Sequence, residues 1–265
     1  VGDFIYPLEK DDMFRGVKTV IHLAAKAHTK NKHKYSTRDY IDKYTKIDKN
    51  LIKILKKNNI SKLIYISSSK IAENNTGIIN EKSVFKPISP YASSKLISEM
   101  IFRDLFPQTT IIRPPLVYGP NVGGNFLSLM NLIYKGAPIP LKASNNLRSL
   151  VSVHNLCAFI ILCIEHPKAR NQTFYISDNE DLSVPDLIKK IALSMNKPSR
   201  LIYAPIVFLK LLGFLLMKKN LIDKLTDSLQ VSTQKAKTLL DWSPYIGVDE
   251  AIELTVKHYL KLKKE

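Results

Sequence analysis

Three short apolar segments, each followed by small or polar residues, constrain the fold of this sequence most. They are TVIHLAA at 19–25, KLIYISSS at 62–69, and TTIIRPPLVYG at 109–119, where two prolines stop the strand. Such β-branched runs are typical of strands buried in a parallel sheet. Amphipathic helical patterns at 38–58 and 91–106 separate them, with the length that a parallel crossover needs. We therefore predict an α/β fold with a doubly wound parallel sheet.

The pattern changes after about residue 120, where shorter strand and helix segments follow. Ser183, with Asp186 three residues later, forms a capping-box signature at the start of one of these helices. We predict that residues 1–120 carry the sheet. Residues 121–265 would form mainly a smaller α/β lobe, with some segments returning to the sheet. Ligands of such sheets bind beyond the carboxyl ends of the strands, so the residues that follow the three strands are candidate site residues.

The net charge of +17, from 40 basic and 23 acidic residues, raises the question of a polyanionic partner. The lysines are scattered along the chain, without an aromatic-interleaved basic stripe or zinc-finger spacing. We therefore predict no nucleic-acid partner and no metal site. The apolar segment 205–219 is too short to span a bilayer. It predicts either a helix of the smaller lobe that covers the substrate or a weak association with a membrane surface.

The two cysteines, Cys157 and Cys163, lie in the apolar run LCAFIILC. Their spacing fits neither a zinc pair nor a disulfide framework. We interpret them as two buried thiols of a protein in a reducing compartment, the cytoplasm.

The stretch SPYASSKLISE, at 89–99, sets Tyr91 and Lys95 four residues apart at the start of a predicted helix. This spacing puts both side chains on one helix face, where the ammonium would lower the tyrosine pKa by stabilising the phenolate. With a serine from the neighbouring strand end, the pair would move a proton on or off an alcohol or ketone oxygen. A nicotinamide would carry the hydride. The alternative is a Tyr–Lys pair on a solvated helix face, and the serine-ended strand before it favours catalysis.

Five motifs carry a family resemblance: VIHLAAKAH, YISSSK, SPYASSKLISE, IIRPPLVYGP and NLRSLVSVHNL. Their order and approximate spacing resemble the extended short-chain dehydrogenase/reductases. Within that superfamily the chain is similar to the NAD-dependent epimerase/dehydratase group that acts on nucleotide sugars in surface-polysaccharide synthesis. The resemblance implies a Rossmann-type sheet, NAD or NADP as cofactor, and a UDP-sugar substrate. It is compatible with a homodimer.

The resemblance also implies roles for individual residues. Tyr91 would be the general acid/base, Lys95 would hold the nicotinamide ribose, and Ser68 would be the catalytic hydroxyl, with Ser67 and Ser69 as alternatives. The implied cofactor-binding residues are Asp3, Phe4, Leu23, Ala24, Ala25, Lys26, Ser67, Tyr91, Lys95 and Pro115. The implied substrate-binding residues are Ser68, Asn125 for uracil and Arg148 for the diphosphate. The structural alternatives are a strand cap for Ser67, a helix cap for Asn125 and a surface ion pair for Arg148.

The sequence departs from the family pattern in its phosphate-binding loop and in its strand-end residues. No GxxGxxG occurs, and Gly123-Gly124 comes far too late for that loop. We therefore expect an N-terminally truncated Rossmann sheet that begins at its third strand. Tyr44 also replaces a usual asparagine, and Leu116 stands where many epimerases have a substrate-binding asparagine.

One departure separates the reactions within the group. Within the group that the chain resembles, the 4,6-dehydratases need an Asp-Glu pair directly after the catalytic Ser/Thr, whereas this chain has Ser69 and Lys70 there. We therefore predict epimerisation at C4 of a UDP-hexose or UDP-N-acetylhexosamine through transient oxidation. The alternatives are reduction of a UDP-4-keto-6-deoxy-N-acetylhexosamine and a truncated, non-catalytic cofactor-binding protein.

Overall fold

The computed structural model describes residues 14–24, 37–72, 77–205, 207–208 and 227–264. The chain divides into two compact units. The first comprises residues 1–114, 159–176 and 232–242, and the second comprises residues 115–158, 177–231 and 243–265. The boundary at 114/115 falls between the two prolines that follow the third apolar segment.

The described strands are β1 (Thr19–His22), β2 (Lys62–Ile66), β3 (Ile78–Ile79), β4 (Thr109–Arg113), β5 (Leu116–Tyr118), β6 (Leu150–Ser152), β7 (Thr173–Tyr175) and β8 (Gln230–Val231). The described helices are α1 (Thr37–Lys57), α2 (Pro90–Leu105), α3 (Gly124–Tyr134), α4 (Val153–Glu165), α5 (Val184–Ser194), α6 (Gln234–Leu240) and α7 (Val248–Leu262). Short 3-10 turns lie at Ser69–Ala72 and Pro167–Ala169.

A four-stranded parallel sheet in the order β1-β2-β4-β7 forms the centre of the first unit. Every residue of β2, β4 and β7 is buried. The helices α1 and α2 pack against each other, and their apolar side chains, such as Leu51 and Phe102, share a core with Leu63 of β2. The predicted α/β fold with a parallel sheet is confirmed. Because the strands run in parallel, the carboxyl ends of β1, β2 and β4 meet at one edge of the sheet.

The strand β1 differs from its prediction as a buried strand. It ends at His22, and Ile21 is 39% exposed. Among the described residues, β1 is the last strand on its side of the sheet. The prediction of burial on both faces is therefore wrong for this strand.

The third apolar segment is interrupted at Pro114 and Pro115. Proline lacks the N–H that a strand ladder needs, so β4 ends at Arg113 as predicted. The residues beyond the prolines form β5, which pairs in parallel with β6 in the second unit.

The second unit has its own hydrophobic core, built from α3, α5, α7 and the β5–β6 pair. Ser183 is the N-cap of α5, and its hydroxyl accepts a hydrogen bond from the backbone N–H of Asp186 at 3.1 Å. The predicted helix start at this position is therefore confirmed. A buried carboxylate, Asp178, accepts hydrogen bonds from the hydroxyl of Tyr118 (2.8 Å) and the amide of Asn155 (2.7 Å). Burial raises the pKa of Asp178 above its usual value.

The two cysteines are free thiols in different environments. Cys163 is buried, and burial raises the pKa of its thiol to about 12. Cys157 is exposed, so the prediction of two buried thiols is wrong for Cys157. The helix α4 is apolar over most of its surface, and sequence periodicity therefore gave no signal for its exposed side. In the described part of the chain, no helix is long and apolar enough to cross a membrane.

Candidate active site

The three serines after β2 lie in a fixed stretch of backbone. The backbone N–H of Ser67 donates to the carbonyl of Ile112 at 2.8 Å, and that of Ser69 donates to the carbonyl of Pro114 at 2.9 Å. Both bonds continue the β2–β4 ladder past the end of β2, and the second also lies past the end of β4. The buried Ser68 hydroxyl accepts a hydrogen bond from the backbone N–H of Lys70 at 3.3 Å. The ladder therefore holds Ser68 at the carboxyl edge of the sheet.

Tyr91 lies in the first turn of α2, directly after Pro90. Ser89 caps this helix, because its hydroxyl accepts from the backbone N–H of Ala92 at 3.2 Å. Burial raises the pKa of Tyr91, and a side-chain hydrogen bond with Ser68 partly offsets this rise. The structure therefore joins the two residues that the resemblance assigns as hydroxyl donor and general acid/base.

Lys95 lies one turn further along α2, and its side chain is only 4% exposed. Its ammonium donates to the carbonyl of Ile66, the last residue of β2, at 2.7 Å. It also lies 4.6 Å from the ring centroid of Tyr65, within the range of a cation–π interaction. Burial lowers the pKa of Lys95 to about 8, while Asp48 and Glu99 act in the opposite direction.

The electrostatics of Tyr91 and Lys95 differ from the expectation drawn from their spacing. We expected the ammonium to lower the Tyr91 pKa, but the net shift is upward. Among the interactions described for Tyr91, burial raises the pKa most, the Tyr44 phenol adds to the rise, and Ser68 is the group that lowers it. The physical reason is that removal from water disfavours the phenolate, and the Lys95 ammonium is engaged by Ile66 and Tyr65.

Behind Lys95 lies a buried polar group that the sequence analysis missed. Asp48 of α1 is 1% exposed, and it accepts a hydrogen bond from the Ser98 hydroxyl of α2. The Nε2 atom of His22 lies 3.5 Å from the Asp48 carboxylate, and the His22 ring stacks on Tyr65 at 5.5 Å between centroids. The sequence held one sign of this group, because Asp48 is a charged residue on the face of α1 that also carries the apolar Leu51.

A second missed interaction braces α2 against β4. The guanidinium of Arg113 donates twice to the Glu99 carboxylate, from Nε at 3.0 Å and from Nη2 at 2.6 Å. Both side chains are buried, and Arg113 also lies 3.4 Å from the Tyr175 hydroxyl of β7. Because Glu99 is the fourth residue after Lys95, this pair holds the helix turn that carries the lysine.

The remaining cofactor-binding residues implied by the resemblance fall into three groups. Asp3, Phe4, Ala25 and Lys26 lie outside the described residues. Leu23 and Ala24 directly follow β1, and both are exposed. Pro115 is buried, and it is the first residue of the second unit.

Ser67 provides a structural test of the cofactor assignment. Its Oγ atom is buried and has no hydrogen-bond partner among the described residues. A buried hydroxyl without a partner is costly, so its role is not that of a strand cap. A bound polar ligand at the carboxyl end of β2 would satisfy it. Together with the buried ammonium of Lys95, this hydroxyl fits a nicotinamide nucleotide.

The two implied uridine-diphosphate residues lie in the second unit. Asn125 is exposed in the first turn of α3, whose N-cap is Gly123, so the alternative of a helix cap is wrong. Arg148 is half-buried, and its Nη1 atom donates to the carbonyl of Asp227 at 2.8 Å. Its backbone N–H donates to the carbonyl of Leu182 at 2.9 Å. The backbone of Arg148 is therefore fixed within its unit, and its guanidinium is held by at least one carbonyl.

The parallel sheet, with Ser68, Tyr91 and Lys95 grouped at its carboxyl edge, defines a Rossmann-type enzyme of the class that the sequence resembles. Residues 6–177, more than half of the chain, match the family described as the NAD dependent epimerase/dehydratase family. The chain belongs to this family. The predicted family, the NAD-dependent enzyme class and the cofactor that the family name carries are confirmed.

Two similar proteins agree with this assignment, and a solved structure agrees with the fold. The chain is 34% identical over 270 residues to a UDP-glucose 4-epimerase of Vibrio cholerae, and the match covers 98% of this chain and 82% of that protein. It is 26% identical over 203 residues to the N-acetyl-alpha-D-glucosaminyl-diphospho-ditrans,octacis-undecaprenol 4-epimerase of Escherichia coli O157:H7, covering 74% and 60% of the two chains. The fold is similar to that in a crystal structure of the UDP-glucuronic acid 4-epimerase of Bacillus cereus with UDP-glucuronic acid and NAD. The TM-score between the two structures is 0.78 at 19% sequence identity, and the match covers 98% of this chain and 81% of that one. This last similarity supports the fold.

Proposed function

We propose that the protein epimerises a UDP-hexose or UDP-N-acetylhexosamine at C4, by transient oxidation of the C4 hydroxyl to a ketone. The observation that carries the proposal is the grouping of Ser68, Tyr91 and Lys95 at the carboxyl edge of the sheet, where Ser68 acts to lower the pKa of Tyr91 and the Lys95 ammonium is buried against the end of β2. The names of the relatives from Vibrio cholerae and Escherichia coli support C4 as the reacting position.

In the proposed mechanism, Tyr91 moves the proton of the C4 hydroxyl. In the oxidative half-reaction the Tyr91 phenolate takes this proton. The Ser68 hydroxyl favours formation of the phenolate by lowering the Tyr91 pKa, and it donates its hydrogen bond to the C4 oxygen as the ketone forms. Tyr91 returns the proton to the keto oxygen in the reductive half-reaction. Its raised pKa suits this second step, because the phenol is protonated at neutral pH. A bound nicotinamide would supply the acceptor and donor of the hydride at C4.

Ser68 and Lys95 would position the reactants. The ladder bonds of Ser67 and Ser69 fix the backbone on both sides of Ser68, so its hydroxyl can hold the C4 oxygen close to Tyr91. The Lys95 ammonium would hold the ribose of the cofactor, with the Ser67 hydroxyl as a further polar contact. In the second unit, Asn125 and Arg148 would bind the uracil and the diphosphate, since a guanidinium suits paired phosphate oxygens.

The residues that follow Ser68 favour epimerisation over dehydration. Elimination of water needs an acid and a base at the sugar, and Ser69 and Lys70 offer no carboxylate there. The proposal includes a role in surface-polysaccharide synthesis and a cytoplasmic location, which the two free thiols support. Homodimer formation and membrane-surface association stay predictions, and most of the apolar segment 205–219 lies outside the described residues.

The proposal is tested by incubating the protein with NAD and either UDP-glucose or UDP-N-acetylglucosamine. Formation of the C4 epimer is followed by NMR of the anomeric proton. Tyr91→Phe should lower the rate by at least about 100-fold, because it removes the general acid/base. Tyr245→Phe is the matched control, since Tyr245 is exposed in the second unit.

Two results would overturn the epimerase proposal. The first is no conversion of either sugar together with NAD(P)H-dependent reduction of a UDP-4-keto-6-deoxy-N-acetylhexosamine, which would make the protein a reductase. The second is binding of NAD without conversion of any of these sugars, which would make it a non-catalytic cofactor-binding protein.

A further inference from the structure

We infer that Asp48 is a positioning residue of this site. Its buried carboxylate supplies the counter-charge that stabilises the Lys95 ammonium in its place beside Tyr65 and the end of β2. The inference depends on the proposed function in one respect, which is that Lys95 takes part in the reaction. It is carried by the arrangement of α1, α2 and β2 within the first unit.

The Lys95 ammonium needs a counter-charge because it is buried. Its described hydrogen bond goes to a neutral carbonyl, that of Ile66, and its other described contact is the face of the Tyr65 ring. A carbonyl dipole and an aromatic face offset only part of the cost of removing an ammonium from water. Asp48 and Glu99 are the two carboxylates that act on Lys95.

Glu99 is already engaged by another cation. Its two carboxylate oxygens accept from Nε and Nη2 of Arg113, so most of its negative charge is matched within that pair. Asp48 differs in this respect. Its partner Ser98 is a neutral hydroxyl, and His22 carries a charge only when it is protonated. The Asp48 carboxylate therefore keeps charge that can act on Lys95.

Asp48 is also held in place from two further elements. Ser98 donates to it from α2, three residues after Lys95, and His22 approaches it from β1 at 3.5 Å. Tyr65 lies within the same group, because it stacks on His22 and Ser98 acts to lower its pKa. These contacts fix the position of the carboxylate relative to the helix turn that carries Lys95.

The titratable side chains grouped around Tyr65 and Lys95 come from four elements: His22 of β1, Asp48 and Tyr44 of α1, Tyr65 of β2, and Tyr91 and Glu99 of α2. The tyrosines are neutral as phenols at neutral pH, and burial raises the pKa of Tyr65 well above its usual value. Asp48 is thus the carboxylate of this group whose described partners, Ser98 and His22, include no permanent cation.

The test is a titration of the Lys95 side chain by NMR of its ¹³Cε atom, without substrate or turnover. Lys95→Met identifies the resonance by its loss. The midpoint in the unchanged protein should lie near pH 8. In Asp48→Asn it should fall by about one unit or more, a tenfold loss of proton affinity. Asp42→Asn, on the exposed side of the same helix, is the matched control and should leave the midpoint unchanged.

A second measurement on the unchanged protein covers the case that Asp48→Asn fails to fold. The ¹³Cγ resonance of Asp48 should show a step at the same pH as the Lys95 resonance, because the carboxylate senses the loss of the neighbouring charge. An unchanged Lys95 midpoint in folded Asp48→Asn, or no such step at Asp48, would overturn the inference. Failure of the proposed function would look different, since Lys95 would titrate as expected while no sugar nucleotide is converted.

Discussion

Replacing Glu99 by glutamine should destabilise the first unit by about 3–5 kcal/mol, because it leaves a buried guanidinium without its counter-charge. Glu99 is 2% exposed and Arg113 is 1% exposed, so water cannot replace the lost carboxylate. Two unit charges about 3 Å apart interact by about 5 kcal/mol at an effective dielectric constant of about 20. The cost is lower than this value because glutamine needs less desolvation than glutamate and still offers one acceptor to Arg113.

The loss is measured by urea unfolding, with the fluorescence of the sole tryptophan as the probe. Trp242 is buried in the first unit and packs edge-on against Phe159 at 5.0 Å between centroids. Asp42→Asn removes an exposed ion pair of the same unit, in which Arg38 and Asp42 lie 4.0 Å apart, and should cost about 0–1 kcal/mol.

A double variant separates the cost of an unpaired charge from the cost of lost packing. Glu99→Leu combined with Arg113→Met removes both charges and should be far less destabilising than Glu99→Gln, because neither charge remains buried. A Glu99→Gln effect as small as that of Asp42→Asn would refute the reasoning. So would a double variant at least as unstable as the single one.

The remaining predictions concern a buried cation and a buried amide. Below pH 8 Lys95 is protonated in both the folded and the unfolded state. Above this pH the folded state loses the proton first, because burial lowers the Lys95 pKa to about 8. The free energy of unfolding should therefore rise between about pH 8 and pH 10.5, by up to about 3 kcal/mol relative to Lys95→Met. Parallel stability curves for the two proteins would contradict this expectation. Asn155→Leu should destabilise the second unit by about 3 kcal/mol, because Asp178 loses a donor and the N–H groups of Tyr245 and Ile246 lose their acceptor. Thermal unfolding followed by circular dichroism measures this loss, and an unchanged midpoint would contradict it.

The sequence was sufficient for the parts of the fold that depend on local pattern. The apolar runs of β2 and β4 predicted the parallel sheet, and the serines after β2 indicated the edge at which the candidate site lies. The i, i+4 spacing of Tyr91 and Lys95 placed both on one helix. The capping signature at Ser183 predicted the start of α5, because a helix N-terminus is set by nearby residues.

The sequence was insufficient where a side chain depends on partners far along the chain. The spacing of Tyr91 and Lys95 does not show that Lys95 turns to Ile66, so the direction of the Tyr91 pKa was predicted wrongly. The pairing of Asp48 with Ser98, 50 residues away, has no local signature. The exposure of Cys157 depends on which side of an apolar helix remains uncovered.

The central claim is that Ser68, Tyr91 and Lys95 form the catalytic group of a sugar-nucleotide 4-epimerase. The most direct measurement is the rate of interconversion of UDP-glucose and UDP-galactose, and of their N-acetylated counterparts, by the unchanged protein and by Tyr91→Phe in the presence of NAD. We predict conversion of at least one pair by the unchanged protein and a loss of at least about 100-fold in Tyr91→Phe, with Tyr245→Phe unaffected. Equal rates in the unchanged protein and in Tyr91→Phe would contradict it.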